Sequence, residues 1–232
     1  MTERKETEND GIRISYLKEY RSNGVPIILL HGNGEDSSLY SDLIGMLSDD
    51  GFSVYAVDSR GHGMSDDTDR LRYEDMADDV IHVIRHEKLE RPILFGFSDG
   101  GITGLLLAIK YPGALSRLIV AGINLSPDGV TWGARLLMRL IFTFKRSDKL
   151  RLMLTQPDIG PEQLRKIDVP TVVFHAERDV VKLLHSEMVV SNVRNGKLIR
   201  LKDETHCSYV NDNAKLYGLL AEHVRESDAF VF

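Results

Sequence analysis

The sequence is poor in several residues and patterns that mark particular classes of protein. It contains one cysteine, Cys207, among 232 residues, so an internal disulfide is impossible and a cysteine-pair metal site lacks a ligand. Only seven prolines accompany an apolar share of 42%, which excludes collagen-like and disordered chains. Because a single thiol suits a reducing compartment, we expect a cytoplasmic protein.

Long apolar runs are also missing. The densest apolar stretch, residues 102–109, ends at Lys110 and is far shorter than the roughly 20 residues that span a membrane. Residues 2–10 are almost wholly polar and contain no apolar segment of a signal peptide. We therefore expect a polar N-terminal tail over residues 1–10 and no integral membrane span.

The net charge is acidic. Twenty-nine lysines and arginines against 35 aspartates and glutamates give a formal charge of −6 at pH 7. An acidic balance argues against nonspecific binding of nucleic acid and against adsorption to a membrane surface. The net charge therefore predicts neither a nucleic acid nor a membrane surface as the partner.

Strand-like and helix-like patterns alternate along the chain. Apolar stretches typical of strands occupy residues 12–20, 26–31, 52–58, 92–97, 118–122, 171–175 and 197–201. Segments of helical period lie between them, at residues 37–47, 73–86, 100–111, 185–193 and 215–224. This order predicts a single α/β domain with a doubly wound, mostly parallel sheet of about seven strands. Residues 125–168 show helical pieces only, and we expect a short helical lid inserted there.

The strongest motif for chemistry is G-F-S-D-G at residues 96–100. It closes an apolar strand and opens a helix, a setting that holds a serine in a strained turn with its hydroxyl exposed. The two glycines allow strand and helix to approach closely. The N–H groups at the helix start can stabilise an oxyanion beside Ser98. Ser98 is therefore the predicted nucleophile.

With this motif the sequence resembles the α/β-hydrolase fold family over nearly its whole length. H-G-N-G at residues 31–34 follows a central strand, and D-S-R-G-H-G-M-S at residues 58–65 follows the next one. The resemblance implies that the backbone N–H groups of Asn33 and Asp99 form an oxyanion hole. It also implies that the second loop is structural, and we expect a structural role for His31 as well.

The resemblance further assigns the acid and the base of a catalytic triad. Asp179 and His206 follow the last two predicted strands, in the order nucleophile, acid, histidine that the family uses. In such a triad the histidine accepts the serine proton and the carboxylate fixes the histidine tautomer. Three other acids compete with Asp179 for this role. Asp203 is too close to His206 in sequence and Asp58 belongs to the structural loop, so Glu177 remains as the alternative to Asp179.

Other candidate motifs have simpler explanations. His62 with Asp66 and Asp67 lacks the second histidine of a metallohydrolase site. Residues 32–34 lack the third glycine of a dinucleotide-binding loop. Cys207 is expected to fill a small apolar space. The sequence therefore predicts neither a metal nor an organic cofactor.

The predicted lid contains one apolar helical face. Trp132, Leu136, Leu140 and Phe144 can share that face, and we expect them to bind substrate by roofing an apolar pocket over Ser98. The alternative is that the face only packs the lid against the domain.

The same segment is locally basic. Residues 135–151 hold six basic residues and one acidic residue, a net charge of +5, so the rest of the chain carries −11. Such a run is usually a solvated surface; the alternative is that it attracts an anionic substrate.

The resemblance implies a serine hydrolase that cleaves a carboxylic ester or thioester of a small to medium-sized molecule through an acyl-enzyme on Ser98, so the expected partner is a small-molecule substrate. Two alternatives remain open at this stage. The same three residues serve carbon–carbon bond hydrolases or lyases of this fold, and some proteins with the fold bind a small ligand without turnover. The oligomeric state and the acyl and alcohol groups are not specified by the sequence.

Overall fold

The chain forms an eight-stranded sheet, seen in a computed structural model that describes residues 1–224. The strand order is β1-β2-β4-β3-β5-β6-β7-β8. In chain order the strands are β1 Glu3–Asn9, β2 Ile12–Glu19, β3 Val25–Leu30, β4 Phe52–Val57, β5 Ile93–Phe97, β6 Arg117–Ala121, β7 Thr171–Arg178 and β8 Gly196–Thr205. Strands β3 to β8 pair in parallel, whereas β2 runs antiparallel to β1 and β4. The prediction of an α/β fold with a mostly parallel sheet is confirmed.

Helices cover both faces of the sheet. They are α1 Ser41–Asp49, α2 Tyr73–His86, α3 Asp99–Lys110, α4 Trp132–Lys145, α5 Asp148–Thr155, α6 Pro161–Leu164, α7 Leu183–Asn192, α8 Ser208–Asn211 and α9 Asn213–Val224. None of these helices, which lie within residues 1–224, combines the length and apolar composition that crossing a bilayer requires.

Two apolar cores explain why the central strands lack an alternating pattern. Ile28 and Leu30 of β3 point into one core with α2 and α3, and Ile27 and Leu29 point into the other with α1 and α9. Every residue of β4, β5 and β6 is buried. Strands covered on both faces are predominantly apolar, as is typical of parallel sheets between helical layers.

The N-terminal segment, expected to be a polar tail, instead forms the edge strand β1. It pairs with β2 from Glu3 opposite Lys18 to Asn9 opposite Ile12. The connection is Asp10 and Gly11, both with positive φ, of 51° and 76°. A two-residue Asp-Gly turn is a strong hairpin signal, and the strand is polar because it lies at the sheet edge with mostly exposed side chains. The sheet therefore has eight strands, not seven.

A helical segment, residues 125–168, separates β6 from β7. It contains α4, α5 and α6, and each of its residues is described and lies outside the strands. One isolated bridge pairs Val130 with Val181. The segment therefore crosses one end of the sheet without adding to it.

A buried ion pair fixes the loop after β4 to helix α2. Arg60 donates from Nε and Nη2 to the two carboxylate oxygens of Asp79, at 2.6 and 2.7 Å. Asn9 of β1 donates to the same carboxylate at 2.8 Å. Burial raises the pKa of Asp79, while these hydrogen bonds oppose that change. The pair joins three parts of the chain that are distant in sequence.

Removing Asp79 should therefore destabilise the protein. We expect Asp79→Ala to lower the free energy of unfolding by about 3–5 kcal/mol, because it removes two carboxylate hydrogen bonds from the buried Arg60 guanidinium and leaves Asp75, 3.9 Å away, as its remaining ion-pair partner. The neighbouring Asp78→Ala is the control, since Asp78 pairs with the half-exposed Lys110 and should cost less than about 1 kcal/mol. Urea unfolding followed by circular dichroism measures both, and equal losses would contradict the assignment.

Candidate active site

Ser98 occupies a sharp turn between β5 and α3. Its backbone has φ 50° and ψ −114°, a conformation that costs a non-glycine residue about 1–3 kcal/mol. A β-carbon on Gly96 would lie 2.3 Å from the Gly100 carbonyl oxygen, and one on Gly100 would lie 2.4 Å from that of Leu30. Both glycines of the motif are thus required by close backbone contacts. The turn presents the serine hydroxyl at the carboxyl edge of the sheet.

Asp179 and His206 meet Ser98 at that edge. His206 Nδ1 lies 2.7 Å from Asp179 Oδ1, and His206 Nε2 lies 3.3 Å from Ser98 Oγ. The Asp179 side chain is fully buried and that of His206 is 17% exposed. The three residues are 108 and 27 positions apart in sequence, yet they form one chain of hydrogen bonds.

The environment keeps Asp179 ionised. Burial by itself raises the pKa of this carboxyl group, but its hydrogen bond with His206, the charge of that ring and the Val181 N–H outweigh burial, so the pKa lies below its ordinary value. The Val181 N–H donates to Asp179 Oδ1 at 2.9 Å. An ionised acceptor favours a proton on His206 Nδ1 and leaves Nε2 free to accept from Ser98.

The competing acids have other partners. Glu177 accepts a hydrogen bond from the Asp203 N–H at 2.8 Å. Asp58 is fully buried and accepts from the Ser37 N–H at 2.7 Å and from Arg4 at 2.8 Å. The loop of residues 58–65 is therefore tied to the loop after β3. The contact with His206 is made by Asp179.

The two predicted oxyanion donors lie beside Ser98. Asp99 is the first residue of α3, so its N–H has no partner inside the helix. The Asn33 side chain donates to Asp99 Oδ2 at 2.8 Å and to the Lys149 carbonyl of α5 at 3.2 Å. Tyr73 donates to the other Asp99 oxygen at 2.8 Å. These bonds hold the loop containing Asn33 against the start of α3.

His31 also holds the loop that contains Asn33. Its Nδ1 contacts the Gly32 carbonyl at 2.8 Å, and its Nε2 accepts the Ser59 N–H at 3.1 Å. Burial lowers the pKa of the ring, which keeps it neutral. Both ring nitrogens are thus engaged with backbone groups, and the ring binds one loop to the other.

A cavity of about 200 Å³ opens beside Ser98 and His206. Its apolar wall includes Met138 of α4, Met153 of α5 and Val181. The helical segment between β6 and β7 therefore forms part of the wall, through two flexible methionines that can adapt to different ligands.

The predicted substrate-binding face of α4 lies elsewhere. Trp132, Leu136, Leu140 and Phe144 are 73%, 41%, 53% and 87% exposed, and they do not line the cavity. The helix is rotated so that Met138 faces inward. Helix α4 is apolar on both sides. Its sequence pattern therefore identified residues that share a face, but the expectation that this face points toward the cavity is wrong.

The basic side chains of the segment do not form the cavity wall. Within residues 1–224, no lysine or arginine lines it. Arg135 pairs with Asp128 and Arg151 with Asp148. The cavity lining therefore does not support the hypothesis that these cations attract an anionic substrate.

The sequence analysis missed two residues at the site. Glu35 lines the cavity and accepts the Gly32 N–H at 2.9 Å, and burial raises its pKa. Gly122 follows β6 with φ 61°, and a β-carbon there would lie 2.7 Å from the His206 ring. In the sequence, Glu35 directly follows the H-G-N-G motif and Gly122 ends a predicted strand, and these positions were the available signals.

Burial shifts the pKa of two other residues with reactive side chains, Cys207 and His62. Burial raises the pKa of the Cys207 thiol, so the nucleophilic thiolate is disfavoured beside His206. Burial lowers the pKa of His62 to about 4, which keeps that ring neutral. Among residues 1–224, no group of three or more potential metal ligands occurs.

Comparison with known proteins places this geometry in a family. Residues 24–159, more than half of the chain, match the family model described as serine aminopeptidase, S33. The AB hydrolase superfamily protein YisY of Bacillus subtilis is 27% identical over 90% of this chain and 95% of its own. The human serine hydrolase BPHL is 24% identical over 85% of this chain and 78% of its own.

Solved structures agree on the fold. A structure from a study of carboxylesterases of the thaumarchaeon Nitrososphaera gargenis superposes with a TM-score of 0.82 at 16% identity, covering 96% of this chain and 98% of that one. Together with the strained turn at Ser98 and the strand order, these similarities identify the chain as a hydrolytic enzyme. It belongs to the serine aminopeptidase S33 family, within the α/β-hydrolase fold.

Proposed function

We propose that the protein hydrolyses carboxylic esters or thioesters of small to medium size through an acyl-enzyme on Ser98. The observation that carries the proposal is the hydrogen-bonded chain from Asp179 through His206 to Ser98 at the wall of a cavity. A pure binding protein has no need of this arrangement.

The reaction follows from the geometry. As Ser98 Oγ attacks the substrate carbonyl, its proton passes to His206 Nε2, and the Asp179 carboxylate stabilises the resulting imidazolium. The oxygen of the tetrahedral intermediate accepts hydrogen bonds from the N–H groups of Asn33 and Asp99, typically worth about 3–4 kcal/mol for each donor. His206 then protonates the leaving alcohol or thiol. A water molecule then gives a proton to His206 and attacks the acyl carbonyl, the bond to Ser98 Oγ breaks as His206 returns the proton to that oxygen, and the carboxylic acid leaves.

The helical segment of residues 125–168 acts in this proposal as a lid. Met138 and Met153 bring it to the cavity wall, and the bond from Asn33 to the Lys149 carbonyl links it to the oxyanion loop. A ligand that displaces the methionines therefore also acts on the loop that holds the oxyanion donor.

The charges of the cavity favour a neutral or cationic substrate. Asp99 and Glu35 line it, and no cationic side chain of residues 1–224 does. Burial raises the pKa of Asp99, although the hydrogen bonds from Asn33 and Tyr73 act to lower it. A cation near this carboxyl would relieve its desolvation, whereas an anion would add repulsion.

We also propose that the protein acts in a reducing compartment such as the cytoplasm. The single thiol, Cys207, lies in the cavity wall next to His206. Oxidation to a bulkier, polar group would alter the site, so a reducing environment preserves it.

Substitution of the nucleophile tests the proposal directly. Ser98→Ala should lower kcat for an ester by a factor on the order of 10⁶ and abolish labelling by a fluorophosphonate probe. Cys207→Ala is the matched control, because it changes the neighbouring nucleophilic atom and should keep most activity and all labelling. Retention of labelling by Ser98→Ala would show that the nucleophile is misassigned.

Burst kinetics separate ester chemistry from the alternatives. We expect p-nitrophenyl acetate to give a rapid burst of about one equivalent of nitrophenol before steady turnover, the signature of an acyl-enzyme. A fluorophosphonate-reactive protein without any burst or turnover on esters would favour carbon–carbon bond cleavage. Stabilisation by a ligand without product formation would favour a binding protein.

The acid of the triad has its own test. Asp179→Asn keeps the shape of the side chain but removes its charge and disfavours the required His206 tautomer, so kcat should fall by a factor on the order of 10⁴. Glu177→Gln, at the competing acid two residues earlier, should leave kcat within about threefold, since Glu177 contacts the Asp203 backbone. A larger loss from Glu177→Gln than from Asp179→Asn would reverse the assignment.

Substrate charge can be tested with three ethyl esters of similar length. At pH 7 the β-alanine ester is cationic, the butyrate ester neutral and the succinate monoester anionic. A unit charge about 8 Å from a carboxylate at an effective dielectric of 20 interacts by about 2 kcal/mol, so kcat/KM should fall at least about tenfold from the cationic to the anionic ester. Asp99→Asn should reduce that ratio, with the neutral ester as its control. Fastest hydrolysis of the anionic ester would contradict the proposal.

A further inference from the structure

Helix α4 turns an apolar face toward solvent. All six of its large aliphatic and aromatic residues on that side are at least 37% exposed, and none of the helix's residues is buried. They are Trp132, Leu136, Leu137, Leu140, Ile141 and Phe144, which we call the outer α4 face. At 3.6 residues per turn these positions fill one continuous half of the helix surface. An exposed apolar area of this kind marks an interaction site.

The opposite side of the same helix is already occupied. Met138 lies there, in the wall of the cavity beside Ser98. Turning the outer α4 face inward would therefore expose the cavity wall. The outer α4 face therefore does not contribute to the domain core, and it is available to a partner outside the described part of the chain.

Free cations border the outer α4 face. Arg139, Lys145 and Arg146 are exposed, and none of them forms an ion pair with any residue of the described part of the chain. Helix α4 itself contains no acidic residue. The nearest acids on either side, Asp128 and Asp148, are paired with Arg135 and Arg151. The border is therefore uncompensated positive charge.

This charge argues against a second copy of the chain as the partner. In a two-fold symmetric contact the same patch meets itself, so the cationic border would face a cationic border. No carboxylate on α4 could neutralise it. Like charges placed opposite each other cost affinity, and a partner with negative charge is favoured.

The length of α4 fits the plane of a membrane surface. Fourteen residues extend about 21 Å, short of the roughly 30 Å hydrocarbon core. An apolar face bordered by Lys and Arg, with a tryptophan at one end, is the pattern of helices that lie at the headgroup boundary.

We propose that the outer α4 face docks the protein on lipid surfaces that carry anionic headgroups. The expectation from the net charge of −6 was the opposite, but that sum conceals +5 within residues 135–151 and −11 elsewhere. Because charges are screened over about 8 Å at physiological salt, the local cations decide what a surface in contact with α4 experiences. Docking does not depend on the proposed ester hydrolysis, and its test requires no turnover.

The full chain can be tested with vesicles of phosphatidylcholine alone and with vesicles containing one quarter phosphatidylglycerol. We expect flotation with the anionic vesicles and much weaker flotation with the neutral ones. The only tryptophan of the chain, Trp132, lies on the outer α4 face, so its fluorescence should shift to shorter wavelength on binding. Salt at 0.5 M should remove most of the electrostatic contribution to vesicle binding.

Variants separate the apolar face from its charged border. Leu140→Asp with Phe144→Asp should weaken binding to anionic vesicles at least about tenfold. Arg139→Gln with Lys145→Gln should weaken it by roughly thirtyfold for anionic vesicles only. Val25→Asp is the matched control, since Val25 is 50% exposed at the amino end of β3, and it should not change binding. Circular dichroism verifies that each variant is folded.

Three results would overturn the proposal. The first is absence of binding to both kinds of vesicle by the folded protein. The second is equal loss of binding in the Val25 control and in the α4 variants. The third is a dimer in sedimentation velocity that the Leu140 and Phe144 substitutions dissociate while vesicle binding is absent, which would identify a second copy as the partner.

Discussion

The structure of the site depends on how closely helix α3 approaches the centre of the sheet. Gly100 lies so near the Leu30 carbonyl that a β-carbon would reach 2.4 Å from its oxygen, and Gly96 lies as close to Gly100. This contact forces the chain to turn within one residue, and Ser98 takes φ 50° as a result. The strain of about 1–3 kcal/mol is sustained because α3 and β5 are buried on every side. The serine hydroxyl is thus held in position by packing of the fold itself.

Polar contacts between loops complete what this packing begins. Asp58 and His31 connect the loops after β3 and β4 through backbone N–H groups, and both are buried. The Asn33 side chain fastens the first of these loops to Asp99 at the start of α3. Each carboxylate is satisfied by several donors, which is what allows charged groups to remain in a dry interior. The proposed oxyanion donors, the N–H groups of Asn33 and Asp99, are therefore held in place by the fold itself.

Local patterns in the sequence predicted much of this arrangement. Helix α2 was predicted at the residues where it occurs, because Met76, Val80 and Val83 repeat with helical period. The sharp turn at Ser98 could be predicted because the close packing of strand and helix requires glycines on either side of it. In contrast, β1 was missed because an edge strand needs few apolar residues, and its Asp-Gly turn was the only local signal. The role of Gly122 under the His206 ring depends on a contact 84 positions away, which no local pattern contains.

Helix α4 shows why an apolar pattern cannot by itself say which side is inside. Periodicity identifies residues that share a face, such as Leu136 and Leu140, but the direction of that face depends on what the rest of the fold leaves open. Here the inward position is filled by Met138, which suits a wall that must adapt to a ligand. The stiffer and larger side chains remain outside, next to cations that would be costly to bury. Since cations border the outer face and acids line the cavity, the two sides of one thin helical layer differ in charge. If both proposals hold, a molecule drawn to the outer α4 face and a molecule bound at Ser98 are selected by opposite electrostatic preferences.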